Sequence, residues 1–323
     1  MKTSSKKINP AYYIGKGKLL ELKGLIDSLL IDMVAFDENI SSTQIRNLSK
    51  YLNVPILDRK RVILDIFAKR ALTSEGKIQV ELAGLKIKLP ELINRRASLD
   101  QQPGFIGAKG IGERSLELTR REIMEKIRKL QKKLKVIEKQ RKLKREKRTS
   151  SSLFIISIVG YTNAGKSTLF NILTKETLPT DNLLFHTLDT RIRKGFLSNA
   201  ISEVLFIDTV GFIRKLPHEL IESFKSTLEE IKTSDLIITV VDISDPDFEF
   251  HIKTVKDTLK ELGANQINNI FAYNKVDKVE SEKLEDYKMN LLDDGIFISS
   301  INSYNIDELK NKIIHVIENK IRN

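Results

Sequence analysis

Gly160-Tyr161-Thr162-Asn163-Ala164-Gly165-Lys166-Ser167-Thr168 follows directly on the apolar run 153–159, and its reading decides the fold. A short apolar run rich in Ile and Val reads as a buried strand. A glycine-rich loop that leaves such a strand and opens a helix makes Gly-x4-Gly-Lys-Ser a phosphate-binding loop. Its glycines let successive N–H groups curl around an anion at a helix N-terminus. Lys166 then neutralises the β and γ phosphates, and the Ser167 hydroxyl is placed to ligate Mg²⁺.

Downstream, strand and helix patterns alternate. Strands are expected at 153–159, 192–197, 203–208, 235–241, 268–273 and 296–299, and helices from about Lys166, Glu219, Phe248, Glu280 and Ile306. Alternation of this kind specifies a mostly parallel sheet with helices on both faces and ligands at the carboxyl ends of the strands. At those ends lie the other motifs. Asn274-Lys275-Val276-Asp277 follows a strand; the Asp277 carboxylate can accept two hydrogen bonds from the ring N–H and exocyclic amine of guanine, a pair of donors that adenine lacks, while Lys275 would lie over the base plane. In Asp208-Thr209-Val210-Gly211, Asp208 would hold Mg²⁺ through water and the Gly211 N–H would meet the γ-phosphate. Phe185-His186-Thr187-Leu188-Asp189 falls in the loop between the first helix and second strand as a first switch, with Thr187 completing the Mg²⁺ shell and Thr180 and Thr190 as competing ligands. Ser299-Ser300-Ile301 can close over the guanine with backbone N–H groups. The ordered set implies a GTP/GDP-binding, Mg²⁺-dependent switch domain.

The sequence marks no catalytic group for hydrolysis. Many GTPases carry a water-orienting Gln after the second-switch glycine, and here that position is Phe212, whose ring cannot orient water. Backbone positioning, His186 or a partner's group would have to serve, and turnover is expected to be slow alone and stimulated by a partner. Asn163 could help hold a K⁺ beside the phosphates.

The first half reads differently. Ile78, Leu82, Leu85, Leu89, Leu92 and Ile123, Ile127, Leu130, Leu134, Ile137 each repeat at 4-3-4-3 spacing, the stripe of an amphipathic helix. Between them 101–112 holds Pro103 and Gly104, Gly107, Gly110 and Gly112, so the expected unit is an antiparallel helical hairpin with a glycine-rich tip, kinked at Pro90. Upstream, helices at 16–30 and 43–51 and strands at 33–36 and 54–57 form a small α/β layer. Gly15-Lys16-Gly17-Lys18 reads as an ordinary helix start in preference to an anion site. The fold class is therefore α/β: a small amino-terminal subdomain (1–74), the hairpin (75–148), a polar linker (149–152) and a G domain (153–323).

Among the 323 residues, 55 Lys and Arg stand against 43 Asp and Glu, a net charge of +12. The stretch Lys126–Arg148 alone carries 13 basic and two acidic residues, and so holds nearly all of the excess. Such a block is either a polyanion footprint or the solvated face of a long helix. No cysteine is present, which removes disulfides, thiolate nucleophiles and Cys-based zinc sites, and the four His are too scattered for a metal cluster. No apolar run suits a membrane span or signal peptide, so a monomeric protein of the cytoplasm without membrane insertion is expected, with peripheral membrane contact left open.

These motifs, taken with Tyr13-Ile-Gly-Lys-Gly-Lys18, Leu64-Asp-Ile-Phe-Ala68, Glu75-Gly-Lys-Ile-Gln-Val-Glu-Leu82 and the glycine-rich tip, closely resemble the HflX family of translation-factor-like GTPases over essentially the whole chain. The resemblance implies a GTPase that binds the 50S ribosomal subunit, its hairpin loop approaching rRNA near the peptidyl-transferase centre, and that splits or rescues stalled or idle 70S ribosomes. Three positions depart from the family pattern. The tip reads Gly110-Ile-Gly-Glu-Arg114 where Gly-Pro-Gly-Glu-Thr is usual, and His186 stands where Ala is common. Against the family, the chain reads as a compact version ending on its last helix. The competing reading is a GTP-regulated binding module for other structured RNA or an anionic membrane surface; a third is a housekeeping GTPase with the hairpin as scaffold only.

Overall fold

The computed structural model describes residues 8–100, 109–149, 153–176, 190–197, 203–213, 218–224, 228–290 and 295–322. The chain divides into two units, residues 1–69 with 80–133 and residues 70–79 with 134–323.

The first unit begins with α1 (Lys16–Leu29), β1 (Val34–Ala35), α2 (Ser42–Leu52), β2 (Ile56–Leu57) and α3 (Arg59–Arg70). β1 and β2 pair in parallel, and Leu19 and Ile26 of α1 meet Leu48 and Leu52 of α2 in one apolar cluster with Ile14, Ile40 and Ile56. α2 starts where the sequence can supply its own first-turn partners: the Ser41 hydroxyl accepts from Gln44 N at 3.2 Å, and the Gln44 side chain accepts from Ser41 N at 3.0 Å. α3 was not expected. Its apolar residues, Val62-Ile63-Leu64 and Ile66-Phe67, form no narrow stripe, and the readable signal was the cap, where Asp58 Oδ1 accepts from Arg61 N at 3.0 Å. Ile63 and Phe67 are buried.

The two long helices are α4 (Ser74–Asp100), which continues through Pro90, and α5 (Lys109–Thr149). In the first unit Leu82, Ala83 and Leu130 are buried and Lys126 Nζ meets Glu81 Oε1 at 2.5 Å. In the second Leu134 is buried and Arg141 Nη2 meets Glu75 Oε2 at 2.8 Å. Earlier residues of α4 thus face later residues of α5, the antiparallel order of a hairpin. One boundary differs from expectation: Lys109 to Gly112, placed in the tip by their glycines, lie in the first turn of α5. A glycine costs a helix only about 1 kcal/mol, and a first turn already has unpartnered N–H groups, so Gly110 and Gly112 do not stop it. The rest of the tip, 101–108, and linker residues 150–152 lie outside the described residues. On α5 the cations Lys135, Lys139 and Lys142 share one exposed face at 4-3 spacing, as do Arg128 and Lys132 before them.

The rest of the second unit is built on a six-stranded sheet ordered β4-β5-β3-β6-β7-β8. Its strands are β3 (Phe154–Gly160), β4 (Arg191–Gly195), β5 (Val204–Asp208), β6 (Leu236–Asp242), β7 (Asn269–Asn274) and β8 (Gly295–Phe297), all parallel except β4, which runs against β5. Among the described residues five α-helices accompany it: α6 (Lys166–Thr174), α7 (His218–Ser223), α8 (Phe248–Glu261), α9 (Ser281–Asn290) and α10 (Ile306–Arg322). The period of two along each strand divides the core. Ile156 and Ile158 of β3 and Leu236, Ile238 and Val240 of β6 pack with Leu169 and Phe170 of α6 and Leu309 and Ile313 of α10, whereas Val159 and Ile237 turn to Val255 and Leu259 of α8. Both faces are covered, which is why these strands are apolar throughout. Register places Ile158 beside Asp208, Gly160 beside Val240 and Asp242 beside Asn274, so four strands deliver their carboxyl ends to one edge. Among the described residues no helix is long and apolar enough to cross a membrane.

Candidate nucleotide-binding site

The loop after β3 turns on two glycines in left-handed space, Gly160 at φ 153° and Gly165 at φ 97°. A Cβ on Gly160 would strike the carbonyl oxygen of Val240, and one on Gly165 the side-chain amide of Asn274, so no other residue fits either place. α6 then starts at Lys166 with its first-turn N–H groups directed into the loop, a cradle for an anion. Lys166 is buried and its Nζ donates to the Tyr161 carbonyl at 2.8 Å. Burial holds this ammonium down to about 8; the Asp208 carboxylate opposes the shift and the Lys275 charge adds to it. A buried cation of this kind gains from an incoming phosphate what it lost on leaving water.

Ser167 Oγ donates to Asp208 Oδ2 at 3.0 Å, and Asp208 is fully buried. A hydroxyl beside a carboxylate at the mouth of an anion cradle is a set of hard oxygen donors that suits Mg²⁺, with the remaining positions left to water and phosphate. Among the described residues no cluster of three or more His, Asp or Glu forms a self-sufficient metal site. The first switch, Phe185 to Asp189 with Thr187, lies outside the described residues, as does Thr180. The Thr190 hydroxyl is buried with no hydrogen-bond partner among the described residues. Asn163 is exposed in left-handed conformation, φ 64°.

The second switch is drawn against the phosphate loop. Phe212 N donates to the Gly160 carbonyl at 3.0 Å, Thr162 N donates to the Phe212 carbonyl at 2.9 Å, and Thr209 Oγ1 donates to Ile158 O at 2.8 Å. Val210 and Gly211 are buried between them, and a Cβ on Gly211 would lie 2.9 Å from Lys166 Nζ. The Phe212 ring is 3% exposed and packs with Val159, Leu228, Ile231, Val255 and Leu259. It is a core side chain, turned into the α8 face of the sheet.

At the other end, Asn274 ties two loops together: its Nδ2 donates to Ala164 O at 2.8 Å and its Oδ1 accepts from Ser300 N at 2.9 Å. Ser299 Oγ donates to Asp277 Oδ1 at 2.5 Å, leaving the carboxylate oriented at the start of the short helical turn Val276–Lys278. Val276, Ser299 and Ser300 are buried, whereas Ile301 is 69% exposed. The structure therefore brings together Gly160 to Ser167, Asp208 to Gly211, Asn274 to Asp277 and Ser299 to Ile301. Two partners went unread in the sequence. Asp242 Oδ2 lies 2.6 Å from Lys275 Nζ, and the signal available was an acid ending the apolar strand β6 at the same edge. His251 stacks on Tyr161 with ring centroids 3.7 Å apart, and nothing in its local sequence marks it.

Three families match the chain: one described as GTP-binding GTPase N-terminal over residues 1–68, one as GTP-binding GTPase Middle Region over 70–148, and one as 50S ribosome-binding GTPase over 155–275. The GTPase HflX of Caldanaerobacter subterraneus subsp. tengcongensis is 46% identical over 308 residues, 95% of this chain and 70% of that protein. The GTPase HflX of Escherichia coli is 40% identical over 277 residues, 86% of this chain and 65% of that protein. Among solved structures, a GTP-binding protein of the hyperthermophilic archaeon Sulfolobus solfataricus in complex with GDP aligns over 97% of this chain and 88% of its own, with 28% identity and a TM-score of 0.50. Identity at this level along nearly the whole chain, with the motifs meeting at one edge of the sheet, makes this protein a member of the HflX family of GTPases and a GTP hydrolase.

Proposed function

We propose that the chain is a ribosome-associated GTPase whose GTP form binds the 50S subunit and separates or rescues stalled or idle 70S ribosomes, with hydrolysis permitting release. The observation that carries the nucleotide half is the convergence of the Gly160–Ser167 loop, the Ser167–Asp208 pair and the Asn274–Asp277–Ser299 cluster on one edge. The ribosomal half draws support from the description of the family matched at 155–275 and from the exposed cations of α5, which suit an RNA backbone. The functional division is 1–74, 75–148 with its tip, 149–152 and 153–323.

In this reading Lys166 and the loop amides hold the β and γ phosphates, and the Gly211 N–H meets the γ-phosphate. Ser167 and Thr187, with Asp208 beside them, would hold Mg²⁺, which would supply charge neutralisation at the phosphates. Asp277 reads guanine, Lys275 covers the base, and Ser299 to Ile301 close over it. Phe185 to Asp189 would serve as the first switch. Phe212 takes no part in orienting water, so hydrolysis is slow until the ribosome supplies or orders the missing group. K⁺ beside Asn163 is a further element, which equal rates in K⁺ and Na⁺ buffers would remove.

Cosedimentation tests the proposal. Binding to 50S subunits should require GTP or a non-hydrolysable analogue, and deletion of residues 99–114 should abolish 70S splitting while GTP binding persists. Equal binding in GDP overturns the switch, and undiminished splitting by the deletion variant favours a generic polybasic binder.

A further inference from the structure

The segment Asp242–His251, from the end of β6 into the first turn of α8, belongs to none of the motifs that define the nucleotide site, yet it contacts two of them. At one end Asp242 is clamped between two partners. Its Oδ1 accepts from Ser244 Oγ at 2.6 Å and from Ser244 N at 3.1 Å, and its Oδ2 pairs with Lys275 Nζ at 2.6 Å. Both side chains of the ion pair are largely buried, 17% and 11% exposed, and Lys275 carries a left-handed backbone, φ 67°. At the other end the His251 ring lies flat on Tyr161, with centroids 3.7 Å apart and planes inclined by 11°. Phe250 stands edge-on to His251 at 6.4 Å, and Asp245 Oδ2 lies 4.0 Å from His251 Nδ1. The backbone carbonyl of Tyr161 is the group that receives Lys166 Nζ.

We infer that Asp242 and His251 are positioning residues on one brace with two separable tasks: Asp242 fixes Lys275 for the base, and His251 fixes Tyr161, and through its carbonyl Lys166, for the phosphates. The inference rests on the reading of Lys166 and Lys275 as nucleotide contacts. A lysine stem has four rotatable bonds, and freezing it before the ligand arrives removes that ordering from the cost of binding. An ion pair shielded from water holds such a stem better than an exposed one. A stacked ring fixes the plane of its neighbour in a way that an aliphatic side chain of equal volume does not. Neither residue is needed to contact the nucleotide, so the brace acts on affinity through the two lysines alone.

The two tasks come apart when GDP is compared with guanosine, which keeps the base and lacks the phosphates. Competition against a fluorescent GDP analogue should show Asp242→Asn weakening both ligands alike, by about tenfold, and Ser244→Ala weakening both in the same proportion by about threefold. His251→Ala should weaken GDP about fivefold while guanosine stays within about twofold. His251→Phe, which keeps a flat ring, should restore GDP binding, and His251→Leu should not. Unfolding midpoints report whether each variant folds, and Ser244→Ala carries the base arm if Asp242→Asn does not fold. The inference is overturned if His251→Ala moves both ligands equally or neither, if His251→Leu binds GDP as well as His251→Phe, or if Asp242→Asn and Ser244→Ala leave guanosine untouched. Failure of the underlying site reading would show differently: Lys166→Ala and Asp277→Asn would bind GDP as tightly as the parent.

Discussion

The nucleotide edge of the sheet and the exposed face of α5 are both polar, charged surfaces, and they are organised on opposite principles. At the edge four charged groups each have a fixed neighbour: Lys166 is held by a carbonyl, Asp208 by Ser167, Asp277 by Ser299 and Lys275 by Asp242. On α5, Lys135, Lys139 and Lys142 stand exposed, and what they share is a face and a spacing. Fixed, buried groups discriminate between ligands, because a wrong partner leaves them unpaired. Exposed cations attract any polyanion and discriminate little, so that under the proposed function selection among RNAs must come from elsewhere.

The comparison breaks most readily at Lys166. Lys166→Ala should weaken GDP by about a thousandfold, because a buried charge-assisted contact to phosphate is lost; equilibrium binding of labelled GDP measures it. Phe212→Ala should destabilise the second unit by about 3 kcal/mol in urea unfolding, the cost of a large ring removed from a packed cluster, and a side chain that only oriented water would not do so. Changing Lys135, Lys139 and Lys142 together to Ala should leave GDP affinity unaltered and cut 50S affinity about tenfold near physiological salt, flattening the salt slope by about two to three units. Glu75→Gln, which takes the charge from one member of the largely buried pair with Arg141 but leaves an oxygen to accept from the guanidinium, should cost about 1 kcal/mol of stability with no effect on nucleotide. The smallest effect belongs to Glu117 on α5, whose carboxyl Arg120 and Arg121 hold down at about 2. Because its pKa is depressed in the folded state, its contribution is present above about 4.5 and is lost as pH falls from there toward 2; Glu117→Gln should flatten that part of the acid-unfolding curve, followed by helix circular dichroism.

Much of this was legible in the sequence, for reasons that differ by region. The central strands β3, β5 and β6 show as apolar runs because they are buried along nearly their whole length, and the loop residues at the strand ends are contiguous, so Gly160 to Ser167 and Asn274 to Asp277 could be read directly. α4 and α5 show because apolar residues recur at helical spacing along each, with Leu82, Leu130 and Leu134 of that pattern buried. α3 was missed because its apolar residues crowd several sides of the helix, and the start of α5 was placed late because Gly110 and Gly112 look like breakers when a first turn tolerates them.

The sequence by itself determined which residue types reach the nucleotide edge, since a strand's period and a glycine's freedom to take positive φ are local properties of the chain. Only the tertiary structure decided who holds them. The pairs Asp242–Lys275, Tyr161–His251 and Glu75–Arg141, and the burial of Phe212 against α8, join positions tens of residues apart. Such partners are chosen by how the sheet order and helix packing bring distant segments within reach, and no local pattern encodes that choice.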